Sequence, residues 1–326
     1  MIAEPDNRFS DPAELHTPVM LERCLELLAP VAARPGAVIV DATLGMGGHS
    51  AALLDAHPEL TVIGVDRDAA AQALAARRLA PFGERAILVH AVYDAIGEAV
   101  RGAGFAEIDG VLFDLGVSSL QLDEADRGFA YAQDAPLDMR MDQTAGETAA
   151  ELLASAPEGR LRAIFERYGE EPLAARYARA IVAARAEAPI ERSAQLVDIL
   201  QRATPAAVSG KRHPAKRVFQ ALRVEVNGEL AALERAIPAA LDLLNLGGRI
   251  VVLAYQSLED RLVKRELAER SRSTAPRGLP VELPEHRPEF RTLTRGAELA
   301  GEEERARNPR AIPVRLRAAE RAREAR

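Results

Sequence analysis

The 326-residue sequence has a single cysteine and no tryptophan, and only 4% of its residues are aromatic. One cysteine, Cys24, can form neither an internal disulfide nor a thiolate metal site, so we expect a reducing compartment and no bound metal. With so few aromatic side chains, the core must be built mainly from alanine, leucine and valine. These features exclude a disulfide-stabilised secreted domain and a cysteine-based metal domain.

The sequence also lacks long apolar runs, and its N-terminal segment has no basic region followed by an apolar one. A membrane span needs roughly 18 consecutive apolar residues, and a secretory signal needs the basic and apolar regions together. We therefore expect a cytoplasmic protein without a membrane partner.

What the sequence does contain is typical of a globular protein, since 48% of its residues are hydrophobic and 28% are charged. Its length predicts one large or two moderate domains. The formal net charge of −7 argues against indiscriminate binding of nucleic acid. It does not exclude a local basic face, because steering depends on where charges lie. One such stretch, residues 211–223, contains Lys and Arg but no Asp or Glu.

Short apolar runs alternate with helical patterns, which indicates an open α/β sheet of buried parallel strands. Between the fourth and fifth runs, only helical patterns occur, and prolines separate them into several short helices. The runs that we predict as strands are 37–40, 61–65, 86–89, 110–113 and 249–254.

These patterns predict one sheet domain that is interrupted by a helical insert. We place the first part of the sheet domain at 1–125, the helical, substrate-recognising insert at 126–220 and the second part of the sheet domain at 221–326. The tail after Ser271 is rich in proline and charge, so we predict extended or loosely ordered chain there.

A glycine turn follows the first predicted strand. Asp41 ends that strand, and Gly45-Met-Gly47-Gly48-His49-Ser50 leads into a helix rich in alanine and leucine. Glycines allow a tight turn and a close approach of the backbone to a ligand, and the start of a helix presents N–H groups to polar ligand atoms. The turn alone is a weak signal, because a purely structural turn has the same pattern.

Asp66, at the end of the second predicted strand, makes the pattern more specific. It lies about 20 residues beyond the turn, where a carboxylate accepts hydrogen bonds from the two hydroxyls of a ribose. Dinucleotides such as NAD and S-adenosylmethionine both fit this arrangement. Ser50 replaces the third glycine of the dinucleotide pattern, and Asp41 would repel a pyrophosphate but could hold a methionine ammonium. Both features favour S-adenosylmethionine.

A second polar cluster, Asp114-Leu115-Gly-Val-Ser118-Ser119-Leu-Gln121, follows the fourth predicted strand. Ligands of open α/β sheets bind outside the carboxyl ends of the strands, so we expect Asp114 to face cofactor and substrate together. The amine on a pyrimidine ring is a poor nucleophile, and an acceptor that binds its N–H localises and orients the lone pair. Asp114 is the predicted acceptor, and Ser118, Ser119 and the Leu115 carbonyl are the alternatives. A helix cap in a tight turn is the structural alternative for Asp114.

With these residues in place, the chain resembles the bacterial MraW/RsmH methyltransferases over nearly its whole length. Several long motifs occur in the order that the family has. They are His16-Thr-Pro-Val-Met20, Asp41 to Ser50, Gly64-Val-Asp-Arg-Asp68, Asp114 to Asp123, Arg127-Gly-Phe129, Leu137-Asp-Met-Arg-Met-Asp142, Tyr168-Gly-Glu-Glu171, Lys211-Arg-His-Pro214, Arg217-Val-Phe-Gln-Ala-Leu-Arg223 and Ser257-Leu-Glu-Asp-Arg261.

The resemblance implies a class I, Rossmann-like, S-adenosyl-L-methionine-dependent methyltransferase sheet with an inserted all-helical domain. It implies methylation of the exocyclic N(4) of a cytidine in the decoding centre of 16S ribosomal RNA, within the small ribosomal subunit. The alternatives are a methyltransferase of this fold that acts on a non-RNA substrate and a ribosome assembly factor with a vestigial site. By position, the family's cofactor contacts fall on Gly47, Gly48, His49, Asp66, Tyr93, Asp114 and Gln121.

The basic stretch supplies the residues that we predict to contact RNA phosphates. A solvated charged face is the competing interpretation. The sequence does not fix the oligomeric state, and a homodimer is compatible with it. The predicted substrate-binding residues are Lys211, Arg212, His213, Lys216 and Arg217.

The chain departs from the family pattern at two places. Where the family usually has Phe-His-Ser-Leu-Glu-Asp, this chain has Tyr255-Gln256 followed by the same four residues. Glutamine does not titrate, so we expect no imidazole acid or base at position 256. The segment 308–317 also differs from the family's Asn-Pro-Arg-Ala-Arg-Ser tail.

Overall fold

A computed structural model describes residues 18–206, 213–276 and 283–323. It divides into two compact units. The sheet unit runs up to Gly116 and resumes at Ala232, and the helical unit comprises Val117–Ala231. The helical unit extends beyond the predicted insert, 126–220, at both ends.

The sheet unit contains a seven-stranded sheet in the order β3-β2-β1-β4-β5-β7-β6. The first five strands in this order are parallel, whereas β7 runs antiparallel to both of its neighbours. The strands are β1 Val38–Asp41, β2 Thr61–Asp66, β3 Ala86–His90, β4 Ile108–Asp114, β5 Leu244–Ala254, β6 Phe290–Thr292 and β7 Arg315–Arg321. The predicted α/β fold is confirmed, and each predicted strand corresponds to one of β1 to β5.

The central strands are buried on both faces, which is why they appear as continuous apolar runs in the sequence. In β1, Val38 and Val40 belong to one apolar cluster and Ile39 to another, as the alternation of side chains along a strand requires. The core of the sheet unit therefore consists of two layers. Helices supply the other side of each layer, among them α1, which contributes Cys24 as a buried apolar residue.

The helices of the sheet unit alternate with its strands. Asp68 begins α3 by accepting hydrogen bonds from the N–H groups of Ala70 and Ala71. Within the described ranges, no helix combines the length and the apolar character that crossing a membrane requires. The helices are α1 Leu21–Ala32, α2 Gly48–Ala56, α3 Ala69–Leu79, α4 Ile96–Gly102, α11 Glu229–Leu243, which crosses the unit boundary, α12 Ser257–Arg270 and α13 Glu302–Arg307.

The helical unit has its own apolar core, and this core contains the largest fully buried side chain, Tyr177. Prolines separate its helices as predicted, with Pro157 at the start of α7 and Pro189 between α8 and α9. Its helices are α5 Ser119–Asp123, α6 Ala149–Ser155, α7 Glu158–Gly169, α8 Ala174–Glu187, α9 Ser193–Ala203 and α10 Ala215–Asn227.

The prediction of a loosely ordered tail after Ser271 was wrong for the part of this tail that the structure describes, residues 272–276 and 283–323. This part of the chain forms α13 and two strands, and β7 lies between β5 and β6. The arginines of β7 gave no sign of a buried strand in the sequence, because the partners that neutralise their charges are found only in the folded structure. Arg317 pairs with the buried carboxylate of Asp260 at 2.8 Å, and Glu320 pairs with Arg249 at 2.8 Å.

Arg321, the last residue of β7, is a buried arginine whose charge is satisfied by backbone carbonyls. Its side chain is 4% exposed, and its Nη1 donates to the carbonyl oxygens of Leu241, Asp242 and Leu244. These carbonyls lie at the C-terminal end of α11, where a cation satisfies acceptors that the helix itself leaves open. The arginine therefore joins the end of β7 to the end of α11.

Candidate active site

Three carboxylates mark the carboxyl ends of three neighbouring parallel strands. Asp41 ends β1, Asp66 ends β2 and Asp114 ends β4. Strand β1 lies between the other two, and Asp41 is in register with Gly64 of β2 and Leu112 of β4. Asp66 and Asp114 therefore extend one pleat beyond Asp41 on either side of it. The sequence predicted this edge of the sheet as the ligand site, and the structure brings the carboxylates together there.

The glycine turn that follows β1 has a backbone that only glycine accepts without strain. Gly47 precedes α2 with a φ of +74°, and a Cβ on it would lie 3.3 Å from Leu79. A Cβ on Gly48 would lie 2.5 Å from the Pro18 ring. Side chains at these two positions would therefore collide with Leu79 and Pro18, so the packing around the turn requires both glycines.

Replacing Gly48 with alanine is expected to lower the free energy of unfolding by about 1–3 kcal/mol, because the new methyl group must displace Pro18. Urea denaturation measures the change. Gly159→Ala is the matched control, since a Cβ there meets nothing within 4 Å, and its effect should stay within about 1 kcal/mol. Equal effects of the two substitutions would contradict the close packing at Gly48.

Asp66 is a half-buried carboxylate that the backbone holds in one orientation. Its Oδ2 accepts from the Gly45 N–H at 2.7 Å, and its Oδ1 accepts from the Asp68 N–H at 2.8 Å. Burial raises the pKa of Asp66, and these backbone hydrogen bonds oppose the rise. Each carboxylate oxygen has a second lone pair, so both can still accept from a neighbouring pair of hydroxyls.

Asp41 does not lie where a carboxylate that binds the methionine ammonium would have to lie. Its side chain is 1% exposed, its Oδ2 accepts from the Ser50 hydroxyl at 2.7 Å, and its Oδ1 accepts from the Thr43 N–H at 3.3 Å. Burial raises the pKa of Asp41. The carboxylate therefore fixes the turn from inside and does not face a ligand.

Asp114 is the most chemically distinctive residue of this edge. Its Oδ1 accepts a hydrogen bond from the Tyr255 hydroxyl at 2.7 Å, and its own N–H donates to Thr43 Oγ1 at 2.6 Å. Its side chain is 26% exposed. Burial raises the pKa of Asp114 to about 6, and the hydrogen bond from Tyr255 opposes that rise. A carboxylate with such a pKa is ionised at neutral pH and is still basic enough to take a proton.

His49 is buried beside Asp114, with its Nδ1 3.9 Å from Asp114 Oδ2. Its Nε2 lies 3.3 Å from the Val19 carbonyl oxygen, an acceptor that favours the tautomer with the proton on Nε2. Burial lowers the pKa of His49. The imidazole is thus neutral at physiological pH, and the 3.9 Å separation is too long for a hydrogen bond to Asp114.

The other predicted cofactor residues have contacts of their own. Tyr93 begins a short 3-10 helix after β3, and its ring meets Phe113 edge-on with the centroids 6.0 Å apart. Gln121 lies in the helical unit, where its Oε1 accepts from the Ser118 N–H at 3.1 Å and the Ser118 hydroxyl accepts from the Gln121 N–H. Gln121 therefore acts in a capping box of α5.

The predicted substrate residues that the structure describes all belong to the helical unit, whereas Lys211 and Arg212 lie outside the described residues. His213 stacks on Tyr131 with ring centroids 4.5 Å apart. Lys216 is exposed at the start of α10. Arg217 donates to the Glu170 carbonyl oxygen at 2.7 Å, so part of its role is to hold the end of α7.

Sequence reasoning missed Tyr255 and Thr43, which both contact Asp114. Tyr255 follows β5 directly, and Asp114 is in register with Leu253 of that strand. A predicted strand ending at residue 254 next to one ending at Asp114 would have placed the tyrosine at the same edge. The hydroxyl of Thr43 could not be found in this way, because its direction depends on the turn.

Comparison with known proteins identifies the relatives of this chain. The sequence profile of the MraW methylase family matches residues 13–322. The chain is 68% identical over 310 residues to the ribosomal RNA small subunit methyltransferase H of Leifsonia xyli subsp. xyli, which covers 95% of each sequence. It is 63% identical over 311 residues to the protein of the same name from Saccharopolyspora erythraea, which covers 95% of this chain and 94% of the relative.

Among solved structures, an rRNA methylase from Streptococcus thermophilus aligns with a TM-score of 0.44 and 13% identity, covering 92% of this chain and 95% of that one. That similarity is too low to carry an inference. The family match and the seven-stranded sheet confirm the class I, Rossmann-like fold with an inserted helical part. The chain belongs to the MraW methylase family.

Proposed function

We propose that this protein transfers a methyl group from S-adenosyl-L-methionine to the exocyclic N(4) of a cytidine in the decoding centre of 16S ribosomal RNA. The observation that carries the proposal is Asp114, a basic carboxylate at the tip of β4 that keeps one oxygen for a substrate N–H. The relatives named ribosomal RNA small subunit methyltransferase H support a ribosomal RNA substrate. The work of the protein would then take place in the cytoplasm, where small subunits are found.

The residues at this edge fit the cofactor. Gly47 and Gly48 form a tight turn whose packing leaves no room for side chains, and Asp66 presents two backbone-anchored oxygens to a ribose diol. Tyr93 offers an aromatic ring beside the third strand for the adenine. When bound, S-adenosyl-L-methionine supplies an electrophilic methyl group on a positively charged sulfur.

The protein itself has only to orient the cytidine amine and remove one proton from it. The nitrogen of the cytidine amine gains a methyl group and loses a proton, while the carbon–sulfur bond to that methyl group breaks and its electron pair stays on the sulfur, which leaves as a neutral thioether. Asp114 Oδ2 accepts one N–H of the amine, which directs the lone pair of the nitrogen, and it takes the proton as the new bond forms. The ionised form of Asp114 is required, so kcat/KM should fall as the pH drops below about 6.

Two basic surfaces of the described chain fit the RNA backbone. Lys216 is exposed in the helical unit. In the sheet unit, the outer face of α12 forms a groove that is lined by Arg261, Lys264, Arg265, Ala268, Glu269 and Arg272. Arg261 lies about one helical turn before Lys264 and Arg265, and Arg272 follows the end of the helix, so an RNA strand leaving the tip of β5 could follow these cations.

We expect Lys216→Glu and Lys264→Glu each to weaken binding to small subunits. The plot of the logarithm of the binding constant against the logarithm of the salt concentration has a negative slope. Each lost phosphate contact should make that slope less steep by about 0.7, the value for single strands. Filter binding at several salt concentrations measures the slope. Arg176→Glu, a charge reversal at another exposed position, is the control that should keep the slope of the unchanged protein. Methylation that is untouched by both substitutions would favour the non-RNA substrate.

Incubation with labelled S-adenosyl-L-methionine and small subunits from a strain that lacks the modification tests the proposal directly. We expect label on one cytidine of 16S RNA, and nucleoside analysis distinguishes N(4) from other positions. Label on protein or on a small molecule would support the same fold with another substrate. Binding to the subunit without any transfer would support an assembly factor and would overturn the proposal.

A further inference from the structure

Tyr255 lies at the tip of β5 and is held there from two sides. Its N–H donates to Glu259 Oε2 at 2.9 Å, and its ring lies beside Gly116, where a Cβ on the glycine would be in ordinary van der Waals contact with it at 3.6 Å. Its hydroxyl donates to Asp114 Oδ1 at 2.7 Å. A tyrosine side chain has only two rotatable bonds before the ring oxygen, so these contacts fix the position of the hydroxyl.

We propose that Tyr255 is a positioning residue of the methyl transfer, which orients the Asp114 carboxylate so that Oδ1 is occupied and Oδ2 faces the substrate amine. This inference rests on the proposed function of Asp114. Tyr255 itself touches no reacting atom and acts through the carboxylate alone.

The hydrogen bonds around Asp114 support this orientation. An aspartate carboxylate turns easily about its last bond, so a single anchor on the backbone does not select one oxygen for the substrate. Here the Asp114 N–H is held by Thr43 Oγ1 and Oδ1 is held by Tyr255, which fixes both ends of the residue. Oδ2 accepts no hydrogen bond from the described residues, since His49 Nδ1 is 3.9 Å away.

The same hydroxyl stabilises the ionised form of Asp114. Burial raises the pKa of Asp114 to about 6, and the Tyr255 hydrogen bond lowers it. The other titratable groups that face the pair are His49 of α2, Asp41 of β1, Cys24 of α1 and Glu259 of α12. None of them donates a hydrogen bond to either carboxylate oxygen of Asp114 in the described chain. Loss of the tyrosine hydroxyl must therefore raise the pKa of Asp114.

The test is Tyr255→Phe, which removes one oxygen and keeps the ring. We expect the acid limb of the kcat/KM profile to move to higher pH by about one unit, as the loss of a hydrogen bond to a charged group predicts. Above that limb, kcat should fall by about tenfold through loss of orientation, while the Kd for S-adenosyl-L-methionine stays unchanged. A carbon-13 NMR titration of Asp114 in the protein without ligands should show the same shift of its pKa.

Tyr177→Phe is the matched control. The Tyr177 hydroxyl is also hydrogen-bonded, to Thr204 Oγ1 at 2.8 Å, but it lies in the core of the helical unit. This variant should lose a similar amount of stability without a change in the acid limb or in the NMR titration. A shift of equal size in both variants would overturn the role of Tyr255.

The remaining outcomes separate this inference from the proposed function. If the Asp114 titration in Tyr255→Phe matches that of the unchanged protein, the inference is wrong, whatever the substrate is. If the titration shifts but the kinetic limb does not, Asp114 is not the group that limits the reaction and the positioning role is again overturned. Failure of the unchanged protein to methylate RNA, with the NMR shift present, would count against the proposed function alone.

Discussion

Asp114→Asn is expected to lower kcat by a factor of about 100 to 10,000, the range that proton-transfer residues contribute. The amide keeps the shape of the side chain, and its oxygen can still accept the hydrogen bond from Tyr255. The other position then carries an NH2 group, which donates where the substrate amine also donates. The substitution therefore removes the proton acceptor and adds repulsion between donors. Single-turnover transfer of labelled methyl groups measures the effect.

A neighbouring aspartate provides the control for this prediction. Asp109 lies near the opposite end of β4, where its carboxylate accepts from the Val38 N–H at 3.0 Å and pairs with Arg34 at 3.1 Å. Asp109→Asn should lower stability but leave kcat close to that of the unchanged protein. Retention of full activity by Asp114→Asn would show that another group accepts the amine, with Ser118, Ser119 and the Leu115 carbonyl as the alternatives.

Asp66→Ala is expected to raise the Kd for S-adenosyl-L-methionine by about 100-fold or more, because two hydrogen bonds to a charged acceptor are lost. The loss also frees the Gly45 N–H, so the glycine turn becomes less well ordered. Isothermal titration calorimetry gives the Kd, and thermal unfolding without cofactor reports the structural part of the effect.

Asp68→Ala serves as the comparison for Asp66→Ala. Asp68 is buried at the start of α3, and its carboxylate caps that helix. The substitution should cost about 1 kcal/mol of stability, as the loss of a helix cap does, with little change in the Kd. Equal weakening of cofactor binding by both substitutions would contradict a direct contact between Asp66 and the ribose.

The sequence was sufficient for the parts of the site that local pattern determines. An apolar run that ends in an acidic residue defines a strand and its tip together, so Asp66 and Asp114 could be placed before any coordinates. Asp41 has the same local pattern, yet it is buried against Ser50 and Thr43. The direction of its side chain depends on the turn, which the pattern does not specify.

Contacts between distant parts of the chain could not be predicted in this way. The hydrogen bond from Tyr255 to Asp114 joins residues that are 141 positions apart, and it depends on the pairing of β4 with β5. The charged residues of the tail were misleading for the same reason. Arg317 and Arg321 have partners near residues 260 and 241–244, and those partners are far away in the sequence.

The position of β7 also determines when the sheet can be completed during synthesis. Strand β5 pairs on one side with β4, which is translated before it, but on the other side with residues 315–321. Until those residues leave the ribosome, an apolar strand has one row of open backbone groups, and such an edge can pair with other chains. The closing step of folding thus waits until residues 315–321 have been made, and premature termination before β7 would leave an aggregation-prone product.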